Sequence, residues 1–198
     1  LIFTGFDTSP TTVVFGGTAT SIATITSTMV ITPAKIDSMV AKAKKASPKI
    51  WPTRVNGREW YVLVIHTDVA YDIEQDSTWH AAQRDAGIRG DENKIFTGML
   101  GTWRQTILHE HEKVPTATNY GSGANLAGAS NPFLGMQAGF FCWGSRPEAW
   151  EKEFDYGAKI GFAIGAIFQF KKAVFTTGAA SANVDHAVIA FRCARTNN

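Results

Sequence analysis

"WPTRVNGREWYVLVIH", residues Trp51–His66, is the stretch on which the reading of the fold turns. Asn56-Gly57 lies between two β-prone runs, and both residues tolerate the positive φ of a two-residue hairpin turn. The downstream arm, Trp60–Ile65, is almost continuously apolar, so the spacing predicts a strand buried on both faces. A sheet holding such a strand needs cover on each side.

Upstream of the hairpin the sequence predicts a helix. Thr32 is its cap, and Pro33 suits the first helical position, where a missing N–H costs nothing. Ile36, Met39, Val40 and Ala43 form one apolar stripe. Lys42, Lys44 and Lys45 fall near the C-terminal end, where the helix dipole favours cations. They read as a solvated helix face in preference to a phosphate-binding patch. Ser47-Pro48 ends the helix. Residues 1 to 30, rich in Thr, Ser and Gly with interleaved Val and Ile, read as irregular, partly paired extended chain.

Downstream, "TDVAYDIEQD" reads as a polar, aromatic connection. "STWHAAQRDAG" reads as a short helix with Ser77 as cap and Gly87 just past its end. "IRGDENK" reads as loop. "IFTGMLGTWRQTILHEHEKVP" reads as two strands with a turn or bulge at Gly98 and Gly101. Residues 115 to 132 are expected to form a long Gly/Ser/Asn loop. A last strand is expected in "DHAVIAFRCA".

The bulk properties narrow the function classes. The 198 residues suit one sizeable domain, or a small domain with an appendage, and a hydrophobic content of 44% is that of a globular protein. Lys and Arg total 19 against 17 Asp and Glu, which disfavours a dedicated nucleic-acid binder. The longest apolar stretch, residues 160 to 170, is too short for a membrane-spanning helix. The start shows no secretory signal and no initiator Met, so a processed product or part of something longer is expected. Cys142 and Cys193 both adjoin aromatic residues and are expected to be reduced and buried.

The chemistry-bearing motifs are weak. In "LHEHEKVP" the imidazoles of His109 and His111 are two residues apart, whereas a zinc-protease helix needs them four apart. On a strand they would share a face and bind zinc only where a third ligand converges. His66, His80 and His186 are the candidates, and the sequence brings none of them there. "GANLAGAS", Gly123–Ser130, has phosphate-loop spacing but carries Ala129 in place of the lysine. There is no G-x-S-x-G nucleophile elbow. Glu148, Glu151, Glu153 and Asp155 read as a charged, solvated helical turn or strand edge in preference to an acid/base pair. The six tryptophans and thirteen phenylalanines lean towards an interaction protein.

Taken in order, the segments resemble a known family. "ASPKIWPTRVNGREWYVLVIHTDVAYDI", "IFTGMLGTWRQTILHEHEKVP", "FLGMQAGFFCWG" and "WEKEFDYGAKIGFAIGAIFQFKKAVF" together resemble the major capsid protein family typified by the podovirus coliphage N-four. The likeness runs from about Ile31 to Phe191. Thr67 stands where that family has Pro, Trp103-Arg104 replaces Tyr-Asn, and Phe168-Gln169-Phe170 replaces a Gly-containing step.

The resemblance implies an α+β fold of the Hong Kong 97 type, comprising the axial domain and part of the peripheral domain. The N-terminal arm and spine region would be missing from this chain. Residues 1–30 would end the extended-loop or peripheral region, 31–48 would be a peripheral helix, 49–150 mainly axial domain, and 151–198 strands returning through both. It implies a non-enzymatic major capsid protein of a tailed double-stranded DNA phage. Its partners would be copies of itself in pentamers and hexamers, with room for a decoration protein, scaffold and portal, and non-specific contact with packaged DNA. Assembly would occur in the host cytoplasm. No catalytic residue, cofactor, metal or membrane partner is expected. The alternatives are a zinc-dependent hydrolase using His109 and His111, an encapsulin-like compartment, or a capsid decoration protein.

Overall fold

The computed structural model of the chain describes residues 2–86, 100–177 and 182–196. The expectations for Gly87, "IRGDENK" and Gly98 lie outside these residues. In chain order the elements are α1 (Ile2–Asp7), β1 (Val13–Phe15), α2 (Pro33–Lys45), β2 (Thr53–Val55), β3 (Arg58–Ile65), α3 (Thr67–Glu74) and α4 (Ser77–Ala86). They continue with β4 (Thr102–Trp103), β5 (Thr106–Glu110), β6 (Thr116–Tyr120), β7 (Leu126–Leu134), β8 (Gly139–Phe154), β9 (Lys159–Lys172), β10 (Val174–Thr177), β11 (Ala182–Asp185) and β12 (Val188–Ala194).

The hairpin and its strand form as the sequence predicts. Asn56 and Gly57 take φ of 50° and 76°, and Arg58 pairs with Val55 across the turn. Tyr61, Leu63, Val64 and Ile65 are buried. β3 lies inside an eight-stranded mixed sheet of order β1-β12-β7-β3-β5-β4, with β2 added to β3 and β6 to β7. Its neighbours run in opposite senses: β5 is parallel to it and β7 antiparallel.

α2 begins at Pro33 after Thr32 and buries Pro33, Ile36, Met39, Val40 and Ala43. These side chains share one core with Tyr61, Leu63, Ile65, Phe133, Ile189 and Phe191. Thr32 serves by its extended backbone alone, since its side chain makes no capping hydrogen bond. On the other side of the sheet, Asp7 of α1 accepts from Ser130 and from Arg192. Those two residues pair directly in the register and therefore share a face.

Several expectations are corrected. Within residues 1–30 the chain forms a helix at its start, and only β1 is paired, parallel to β12. "TDVAYDIE" is a helix, α3, burying Val69, Ala70 and Ile73 on one stripe. Its start is set by His66, whose Nδ1 accepts the Asp68 N–H. The cap of α4 is Asp76, whose carboxylate accepts from the Thr78 and Trp79 amides, with Ser77 already inside the helix. The hairpin before "ILHEHE" turns at Arg104-Gln105, both at positive φ, and not at Gly101.

The largest correction concerns residues 115 to 132. Most of what reads as a long loop is β6 and β7, joined by a short turn at 121–125, and β7 is the centre of the sheet. Its polarity is absorbed internally. Asn131 is fully buried; its carbonyl oxygen accepts the His66 N–H and its amide donates to Phe191 O and Cys193 Sγ. Gly128 lies against the ring of Tyr120, whose hydroxyl burial pushes up to about 12. Small residues let these strands close on one another, and no apolar run is left to mark the strand.

A Cβ added at Gly128 would stand 2.1 Å from Tyr120 Cδ2. Gly128→Ala is therefore expected to cost roughly 3 kcal/mol or more, beyond ordinary overpacking. At Gly57 a Cβ meets nothing within 4 Å, so Gly57→Ala carries only the strain of positive φ, about 1–2 kcal/mol. Urea denaturation of the two variants measures the difference.

Candidate functional site

The carboxyl-terminal half projects a two-stranded antiparallel ribbon, β8 with β9, that pairs with no third strand among the described residues. Its sequence explains both its length and its faces. β9 reads Lys159-Ile-Gly-Phe-Ala-Ile-Gly-Ala-Ile-Phe-Gln-Phe-Lys-Lys172, and side chains on a strand alternate between faces. Ile160, Phe162, Ile164, Ala166, Phe168 and Phe170 therefore line one face. Gly161, Ala163 and Gly165 line the other.

The glycine face, which also carries the 68% exposed Ile167, is covered in part. Trp150 and Phe154 of β8 lay their rings where Cβ atoms at Gly165 and Gly161 would stand, at 2.8 Å in each case. Lys152 sits over the Phe154 ring at 5.3 Å. The opposite face has no such cover: Ile160 is 55%, Phe162 76% and Ile164 83% exposed. Across from them on β8 stand Glu153, Glu151 and Ala149. Nearer the base, Phe141, Trp143 and Phe168 pack as an aromatic trio, each still about half exposed. Two register shifts, between Trp143 and Ser145 and between Ser145 and Glu148, take up the Pro147 that a regular ladder would reject.

The uncovered large side chains Ile160, Phe162, Ile164, Phe168, Phe141 and Trp143 expose on the order of 600 Å² of apolar surface, the upper end for a monomer. A ribbon of two strands is only marginally stable in water by itself. This face is built to be covered.

The base of the ribbon is held firmly. Phe170 packs edge-on against Phe6 at 5.0 Å. Lys172 Nζ lies 2.8 Å from Asp185 Oδ1, with both side chains nearly withdrawn from solvent. Lys172 also donates to Thr8 O and Ser9 O, and Asp185 accepts the Thr11 N–H at 2.8 Å. Every charge taken out of water there has a partner.

The candidates from the sequence are not brought together as a reactive centre. His109 is exposed at the end of β5, whereas His111 has left the strand and its Nδ1 accepts the Lys113 N–H at 3.0 Å. The two rings stand 6.3 Å apart, and His111 packs on Phe3. Among the described residues no group of three or more His, Cys, Asp or Glu side chains is placed to hold a metal ion. His66 caps α3, His80 is exposed on α4, and His186 packs against Phe175. Gly123–Ser130 runs from the turn into β7, where Leu126–Ser130 are strand and not a loop. Glu148, Glu151, Glu153 and Asp155 lie along β8 and its turn, where Asp155 pairs with Lys159 at 2.8 Å.

Of the two cysteines expected to be buried, only Cys193 is. Cys142 is exposed, because the ribbon that carries it has no second layer over it. Burial pushes the Cys193 thiol up, and the nearby Asp72 carboxylate adds to the effect against the Asn131 hydrogen bond. The ribbon face itself was signalled in the sequence by the strict alternation of large and small residues from Ile160 to Gly165.

Comparison with known proteins places this α+β architecture among phage capsid proteins. The chain matches the family described as phage capsid protein over residues 6–195, and it belongs to that family. It is 30% identical over 125 residues to the major capsid protein of Pseudomonas phage KPP25, covering 60% of this chain and 33% of that one. Its fold is similar to the capsid of Ralstonia phage GP4, with 27% identity, a TM-score of 0.73, and coverage of 93% of this chain and 53% of the other. It is also similar to a chain of the cyanophage Pam1 capsid asymmetric unit, at 20% identity and a TM-score of 0.79, covering 94% and 55%. The chain thus spans one third of that relative and about half of those capsid chains.

Two outcomes test the ribbon's geometry. Lys172→Met strands the Asp185 carboxylate and is expected to cost about 3–5 kcal/mol in denaturant unfolding, whereas Lys159→Met, at an exposed pair, costs no more than about 1 kcal/mol. A thiol reagent is expected to titrate Cys142 at once in the folded protein and Cys193 only after denaturant is added.

Proposed function

We propose that the protein of which this chain is part or whole is a major capsid protein of a tailed double-stranded DNA phage, assembling through copies of itself into an icosahedral shell. Family membership over nearly the whole chain supports the reading. The observation in the geometry that carries it is the uncovered apolar face of the β8–β9 ribbon. A shell subunit needs contact area that the monomer leaves open, at a net charge near neutral so that many copies can approach, and this chain's is +2. Heterologous contacts of this kind close into five- and six-fold rings.

The finer expectations carry forward as part of this proposal. The fold is of the Hong Kong 97 type, with the axial and peripheral division given above, and the subgroup is that of coliphage N-four. The distinctive "ILHEHEKVP" and "FDYGAKIGFAIGAIFQFKKAVF" segments support it. The shell holds DNA and forms in the host cytoplasm, with a portal, scaffold and decoration protein as further partners. The protein is structural, and the zinc-hydrolase alternative loses its support because no third ligand converges on His109 and His111 among the described residues. An encapsulin-like compartment differs only in its contents.

Electron microscopy of the full-length protein tests this: closed shells are the expected outcome, and a monomer under every assembly condition overturns it. Nucleic acid inside particles isolated from infected cells distinguishes a virion from a compartment. Elemental analysis is expected to find no stoichiometric zinc.

A further inference from the structure

The turn between β2 and β3 carries a reactive pair. Asn56 is the one asparagine in the chain that is followed by glycine. The backbone nitrogen of the following residue can attack an asparagine side-chain amide, closing a cyclic imide. A side chain on the attacking residue crowds that approach, and glycine has none. Asn56 and Gly57 are both exposed, and a Cβ built at Gly57 would meet nothing within 4 Å. Every other asparagine with a successor precedes a residue that has a side chain. Asn131 is doubly guarded, being fully buried and followed by Pro132, whose nitrogen has no hydrogen to lose.

The turn can also open at little cost. β2 pairs with Arg58–Trp60, the exposed end of β3, and with no other strand among the described residues. β5 and β7 pair instead with the buried end, Tyr61–Ile65. Fraying of the hairpin therefore leaves the core undisturbed and lets the Gly57 nitrogen reach the Asn56 side chain. Arg54 and Arg58 flank the pair against one carboxylate, Glu59, which lies 3.7 Å from Arg54. The attacking nitrogen anion thus forms where the local charge is positive on balance.

We propose that Asn56 is a site of spontaneous covalent conversion, at which the folded protein loses ammonia and gains a carboxylate. The Gly57 N–H gives its proton to hydroxide, and the nitrogen bonds to Asn56 Cγ. The Cγ–Nδ2 bond breaks, and Nδ2 departs as ammonia with a proton taken from water. Water then opens the cyclic imide at one of its two carbonyls. Opening at Cγ leaves aspartate in an unchanged chain. Opening at the backbone carbonyl leaves isoaspartate, with the chain rerouted through Cγ.

The two products act differently on the fold. Aspartate before glycine suits the same turn, so that product adds a negative charge alone. Isoaspartate adds a backbone carbon, which the two-residue turn joining Val55 to Arg58 does not accommodate. It releases β2 while Tyr61–Ile65 stay paired. The inference concerns the chain itself and does not depend on the shell reading.

The test holds the folded full-length protein in warm, mildly alkaline buffer and compares it with a sample digested at the start. Trypsin cuts after Arg54 and Arg58 and isolates the peptide Val55–Arg58. Mass spectrometry is expected to show this peptide exchanging NH for O faster than any other asparagine peptide, and faster as the pH is raised. Isoaspartyl methyltransferase with labelled S-adenosylmethionine is expected to mark the isoaspartate fraction. Gly57→Ala, which bears only the strain of positive φ, is expected to slow conversion about ten-fold. An unchanged Val55–Arg58 peptide from the folded protein overturns the proposal, and conversion confined to denatured protein shows that the turn protects the pair. An equal rate in Gly57→Ala also overturns it, since the open approach at Gly57 is then not what selects the site.

Discussion

Asn131 lies at the centre of the sheet with no exposure to water, and the remainder of the structure is arranged around satisfying its amide. Its oxygen accepts the His66 N–H where β3 ends and α3 begins, and its nitrogen donates towards Phe191 and Cys193 on β12. One side chain thus joins the middle strand to its neighbours on both sides. An unpaired amide there would cost about 1–3 kcal/mol, so these partners are held to their positions. The small residues around it allow the approach: Ala129 is fully buried and Gly128 lies under the Tyr120 ring.

The ribbon inherits its footing from this sheet. β12 is continuous with Asp185 through the turn at His186-Ala187, and Asp185 holds Lys172 at the foot of β9. α1 closes the junction from the other side, giving Asp7 to Ser130 and Arg192 and Phe6 to Phe170. The base is apolar, ion-paired and dry, whereas the distal part is a two-stranded ladder in water. The root is thus firm, and the far end of the ribbon is uncovered among the described residues.

Much of the body was legible because its signals are local. The stripe from Ile36 to Ala43, the Asn56-Gly57 turn and the apolar run to Ile65 each specify their conformation within a few residues. α3 was missed because Thr and Asp dilute its stripe and its cap is a histidine. Of the candidate site, residues 160 to 170 read only as the longest apolar stretch, and their alternation of large and small residues went unused. The carboxylates from Glu148 to Asp155 were read as a strand edge or helical turn, and the strand edge is what forms. Which face of the ribbon remains bare was not legible, since that depends on rings from β8 lying over glycines of β9.

The sequence by itself determined the helix α2, the hairpin, the buried character of β3, the presence of a last strand, and, through the likeness of its segments, the capsid family. Tertiary structure alone decided that residues 126 to 134 are the central strand, that His111 turns away from His109, and that Cys142 is exposed while Cys193 is buried. The physical reason is that these depend on register between strands far apart in the chain. A glycine, serine or asparagine reads as a loop by its own preference, and becomes the interior of a sheet only when its neighbours supply the close approach and the hydrogen bonds it lacks.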